Sequence, residues 1–211
     1  EMFYEDAEVG SRVLGLTLTS RNNGAAAAVP LAGVPAKAVG EYVKRLVRKG
    51  FRVAICEQVE DPKYAKGPVR REVIETVTPG AALADDLLDG ARNNFLCALH
   101  GTGLAAVDVS TGEFRLATAH TADTASLLAR YAPREILIAR GSSVGAPLDG
   151  VLVTEREAWE FDAKLGAEVL ARRFGVQSDD ADAVAAAGAL LEYLKELQPG
   201  GLPHLAKPVI E

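Results

Sequence analysis

Asp108 opens the run Asp108-Val109-Ser110-Thr111-Gly112-Glu113, and a carboxylate at a strand end beside a tight turn is a place where a metal or phosphate site can begin. Such a site needs further carboxylates brought to the same point, and the later strand-like segments offer only their end residues. A structural turn is therefore the preferred reading, with metal chemistry at Asp108 kept as the alternative. Other constellations fall short. His100, His120 and His204 are widely spaced, with no Cys or carboxylate at ligand spacing. No Gly-Lys precedes a Ser or Thr, so the chain carries no phosphate-cradling loop of that type. Gly-x-Ser-x-Gly is absent, and Gly141-Ser142-Ser143 reads as a turn. Cys56 and Cys97 stand in apolar, strand-like contexts and are expected to be buried thiols. Trp159, between Glu157 and Glu160-Phe161, is expected to anchor packing.

The remaining candidates are polar and basic groups of the kind that contact nucleic-acid phosphates. They are Ser20-Arg21-Asn22-Asn23, the proline-bounded Pro30-Leu31-Ala32-Gly33-Val34-Pro35, and a loop with Lys63, Lys66, Arg70 and Arg71. The net charge of −6 is unevenly spread: residues 1–85 hold 12 Lys+Arg against 11 Asp+Glu, and residues 86–211 hold 11 against 18. Only the front could meet a polyanion, and its near-neutral balance does not decide the matter.

The elements that position these residues follow from periodicity. Phe3, Ala7, Gly10 and Leu14 make a helical stripe over about 2–14, with Glu5 and Asp6 in its first turn. Leu16–Thr19 alternates as a strand and ends at the turn Asn22-Asn23-Gly24. Pro35 leads into a helix over 36–49, closed by Gly50. Phe51–Cys56 and Glu72–Thr78 alternate as strands. Residues 1–80 are thus expected to form a small mixed-sheet α/β domain, and the acidic stretch 81–93 a linker. Residues 94–211 hold three strands at 94–99, 103–109 and 113–117. A helix at 123–131, strands at 135–139 and 151–154, and helices at 162–174 and 180–197 follow. That order is the one expected of a ribonuclease H-like α/β domain, so the alternative at Asp108 becomes a metal-dependent hydrolase of that type. With 48% hydrophobic and 25% charged residues the chain can bury a core. It has no apolar run long enough for a membrane span, and a cytoplasmic protein is expected. Opening at Glu1 rather than Met, and stopping soon after Pro199-Gly200-Gly201, it reads as a piece of a longer chain.

The ordered text of the chain resembles the leading domain of the bacterial MutS mismatch-repair family. The similarity runs through Phe3-Tyr4-Glu5-Asp6-Ala7, Leu16–Arg21, Pro30–Pro35, Val53-Ala54-Ile55-Cys56-Glu57-Gln58, Arg71-Glu72-Val73 and Val77-Thr78-Pro79-Gly80. It continues into that family's connector domain through Asp108–Phe114 and Leu202-Pro203-His204. The resemblance implies binding of double-stranded DNA with mismatches or small loops. In that family a Phe-x-Glu motif does the reading, its ring wedged beside the mispaired base and its carboxyl hydrogen-bonded to it. Register places the motif's Glu at Glu1 and its Phe two residues upstream, so Phe3 and Glu5 belong to the following helix, with Phe3 in the core. Glu1, Ser20, Arg21, Leu31, Lys66 and Arg70 are the DNA-facing residues that the resemblance implies. It further implies that the second domain relays to clamp and ATPase domains and to the partner MutL, and that the full-length protein is a homodimer. ATP and Mg are expected only in the ATPase domain, outside this chain.

Overall fold

The computed structural model describes residues 1–21, 28–65, 67–82, 93–119 and 124–211. The expected Asn22-Asn23-Gly24 turn, Lys66, His120 and the stretch 83–92 lie outside these. The chain divides into two compact units, Glu1–Val53 and Ala54–Glu211.

In the first unit, β1 (Met2–Phe3) and β2 (Thr19–Arg21) flank β3 (Val29–Ala32), antiparallel on both sides. Helix α1 (Tyr4–Leu14) lies against β3, and a short 3-10 turn (Ala36–Ala38) leads into α2 (Val39–Arg48). Small residues make this possible. Ala7 and Ala32 are fully buried, and a Cβ on Gly10 would fall 2.6 Å from the sulfur of Met2. The amphipathic stripe of α2 supplies the rest through Val43, Leu46 and Val47.

Three expectations change here. Met2 and Phe3 pair with Ala32 and Leu31 and so form a strand before the helix. Alternation then turns Phe3 to the sheet face opposite Met2, and Phe3 is half-buried rather than a core residue. The strand expected over Leu16–Thr19 begins only at Thr19, because Leu16 is used in closing α1: its N–H donates to Ser11 O at 3.0 Å, and Ser11 Oγ donates to Leu16 O at 2.6 Å.

The second unit starts with a ribbon of β4 (Val53–Gln58) and β5 (Arg71–Val77). Its body is a six-stranded sheet of β6 (Phe95–His100), β7 (Gly103–Asp108), β8 (Glu113–Thr118), β9 (Glu135–Ala139), β10 (Leu152–Arg156) and β11 (Val209–Ile210). The strand order is β10-β9-β6-β7-β8-β11. The meander β6-β7-β8 is antiparallel, while β9 runs parallel to β6 and β10 parallel to β9, which is the ribonuclease H-like arrangement.

Both faces of this sheet are covered, which is why β6, β7 and β9 are nearly continuous apolar runs. One face carries α5 (Ala181–Leu197), and α4 (Ala163–Phe174) packs on α5. The other carries α3 (Thr124–Tyr131), with Leu128 and Tyr131 on Phe95, Cys97, Leu104, Ile136 and Ile138. The alanines of α5 and the bare Gly103 bring helix and sheet close; a Cβ on Gly103 would sit 2.0 Å from the Ala183 nitrogen. Among the described residues no helix is long and apolar enough to cross a membrane.

Two further expectations are corrected. Cys97 is buried in the six-stranded sheet, but Cys56 is exposed, on a ribbon of two strands. Trp159 is 67% exposed. Its 3-10 turn (Ala158–Phe161) is held instead by Phe161 in the core and by a reciprocal capping box between Glu157 and Glu160.

Candidate nucleic-acid interface

The sheet of the first unit gathers most of the sequence-derived candidates. Leu31 occupies the central strand with Phe3 opposite it on β1 and Thr19 opposite it on β2. Thr19 Oγ1 donates to the Leu31 carbonyl at 3.0 Å, tying the row together. Cross-strand partners share a face, so Phe3, Leu31 and Thr19 lie opposite the α1-covered face of Met2 and Ala32. Phe3 and Leu31 are half-buried and Thr19 is exposed, which leaves this face partly open.

Glu1 borders the same row and is exposed. A Cβ added at Gly33 would come within 3.9 Å of Glu1 Cγ, so the glycine of the proline-bounded segment is Glu1's neighbour. Ser20 is exposed and pairs with Pro30, and Arg21 pairs with Val29 through its backbone. Four of the six candidates, Glu1, Ser20, Arg21 and Leu31, thus share one small sheet. The sequence reading overlooked Thr19 and Phe3 as members of this surface. Both join the row through their pairing with Leu31 across strands, a register that periodicity within one strand does not carry.

Arg70 lies in the second unit, just before β5. Its backbone N–H donates to Glu60 Oε1 at 2.7 Å and its carbonyl accepts from Val59 N–H at 3.0 Å, which staples the base of the β4–β5 loop. Its guanidinium, 68% exposed, rests 3.3 Å from Glu72. An exposed pair of this kind adds little stability and exchanges readily for another anion.

Asp108 is 1% exposed, and its oxygens are occupied by its own turn. Oδ1 accepts from Ser110 Oγ at 2.6 Å and from the N–H groups of Ser110 at 3.0 Å and Thr111 at 3.3 Å; Oδ2 accepts from Asn94 N–H at 3.0 Å. This carboxylate builds the β7–β8 turn. Among the described residues no group of three His, Cys, Asp or Glu side chains is gathered as a metal site. His204 stacks no chemistry either: its Nε2 donates to the Val109 carbonyl at 2.7 Å, behind the same turn.

A buried carboxylate that the sequence reading treated only as the start of a strand is Glu135, fully buried at the head of β9. Thr154 Oγ1 and Tyr193 Oη donate to its Oε1 at 2.8 and 2.7 Å, and Gly80 N–H donates to its Oε2 at 3.3 Å. Nothing local in sequence announces it, because its partners come from 55, 19 and 58 residues away.

A small α/β unit with a half-open sheet face and a ribonuclease H-like unit whose Asp108 is consumed in a turn define a two-unit α/β protein. The chain belongs to the MutS family: the model for MutS domain I matches residues 1–86 and that for MutS domain II matches residues 94–206. Among its relatives, the DNA mismatch repair protein MutS of Chlorobaculum tepidum is 39% identical over 229 residues, covering 98% of this chain and 26% of the relative. The proteins of the same name from Solibacter usitatus and Salinibacter ruber are each 41% identical, covering 99% and 98% of this chain and 26% and 25% of their own lengths. The chain therefore spans about a quarter of the relatives it matches.

Proposed function

We propose that this chain is the mismatch-sensing and relaying part of a cytoplasmic DNA mismatch-repair protein and performs no catalysis itself. The observation that carries the reading is the half-open row Phe3-Leu31-Thr19 bordered by Glu1, in a chain whose relatives bear the name DNA mismatch repair protein MutS. In this reading the functional domains are 1–80 and 94–211, joined by 81–93.

Recognition rests on deformability. A wedge inserted from the minor groove unstacks a base step, and that costs least where pairing is already faulty. Glu1 stands at the reading end as the group that hydrogen-bonds the displaced base, and Leu31 lines the groove. Ser20, Arg21, Lys66 and Arg70 hold the phosphate backbone and so set register without reading sequence. The second domain, acidic overall, faces protein rather than DNA. It passes the bound state to clamp and ATPase domains, where ATP and Mg act, and to MutL, within a homodimer of the full-length protein.

The test is duplex binding by the full-length protein with Arg21→Ala. Mismatched and paired duplexes should weaken by the same factor, and the slope of log affinity against log salt should fall by about one. A loss confined to mismatched duplex would contradict the assignment of Arg21 to the backbone.

A further inference from the structure

The family match carries domain I to residue 86, yet compactness assigns the chain from Ala54 onward to the second unit. Contacts inside that unit account for the difference. Gln198 Nε2, just past α5, donates to Glu75 Oε1 on β5 at 3.1 Å. Asn94 Nδ2 donates to the carbonyl of Pro79 at 3.1 Å. Thr78, Gly80, Ala81 and Ala82, which leave the ribbon, are all buried. At the centre Glu135 grips the Gly80 N–H, and no side chain fits between them: a Cβ on Gly80 would fall 2.6 Å from Glu135 Cβ and 3.1 Å from Leu96 Cδ1.

A buried carboxylate with every partner in place is no better for stability than a well-packed apolar side chain. What it adds is direction, because it fixes one backbone N–H at one point. We propose that Glu135 is a positioning residue that locks the exit segment Thr78–Ala82 to the sheet, so that the β4–β5 ribbon and Arg70 travel with the second unit. The functional meaning rests on the reading above, in which Arg70 meets DNA: a load on the ribbon then reaches the ribonuclease H-like body directly.

Spin labels on the native, exposed Cys56 of β4 and on Ser142→Cys, in the exposed turn after β9, report the lock as a distance distribution without any DNA. Cys97 stays unlabelled because it is buried and burial pushes its thiol pKa well up. A single narrow distance is expected for the otherwise native chain. Glu135→Leu, which removes the acceptor, and Gly80→Ala, which forces the segment off while leaving the carboxylate and its two hydroxyl donors intact, should each widen it about twofold. A distribution already broad without either change, or unchanged in either folded variant, overturns the lock. If Glu135→Leu does not fold, Gly80→Ala decides alone. Absence of duplex binding would overturn the DNA reading and leave the distance result standing.

Discussion

The Tyr193 hydroxyl on α5 donates to Oε1 of Glu135 on β9 at 2.7 Å, with both side chains buried. Helix and sheet are therefore joined by a buried hydrogen bond as well as by apolar contact. Tyr193→Phe removes one of the two hydroxyl donors, leaving Thr154 Oγ1 on the same oxygen. It should cost about 1–3 kcal/mol. Urea unfolding should show a lower midpoint at an unchanged slope, and an unchanged midpoint would contradict the role given to the pair.

Helices α4 and α5 cross at two glycines. A Cβ on Gly188 would approach Gly166 Cα to 2.8 Å, and one on Gly166 would approach the Val184 carbonyl oxygen to 2.3 Å. Backbone, not a yielding side chain, is the obstacle. Gly166→Ala should therefore destabilise by about 1–3 kcal/mol despite its better helix propensity. Thermal unfolding checks this, and a raised midpoint would mean that the helices slide apart freely.

Asp180 caps α5 by accepting Ala183 N–H at 3.0 Å, and Thr118 Oγ1 donates to its other oxygen. Burial pushes its pKa up, but these bonds outweigh that and hold it below the ordinary Asp value. A depressed folded pKa contributes stability above the unfolded pKa and loses it as pH falls through the folded one. Asp180→Ala should thus cost about 1 kcal/mol at neutral pH, with the difference from the native chain shrinking in acid. Denaturant midpoints at several pH values test it; a gap that widens in acid would refute the cap.

How much of this was legible in the sequence depends on where the deciding contacts lie. The meander strands, β9, and helices α4 and α5 were placed within two residues, because period-two and period-3.6 patterns and their caps are local. The edge pair β1 and β11 escaped notice: two-residue strands carry no period, and each exists only through a distant partner, Leu31–Ala32 and Arg115–Leu116. Trp159 and Cys56 were assigned to the interior from their local context, while their exposure is set by tertiary packing that local sequence does not carry. At the interface, the sharing of one sheet by Glu1, Ser20, Arg21 and Leu31 could be expected from the family resemblance, but the row through Phe3 and Thr19 needed the register.

The most direct test of the account is the ratio of affinities for mismatched over paired duplex, measured by fluorescence anisotropy on the full-length protein with and without Glu1→Ala. Glu1 borders the open row on the reading sheet, and the ratio should fall toward one when its carboxylate is removed. An unchanged ratio, with both duplexes bound as before, would show that this sheet does not do the reading.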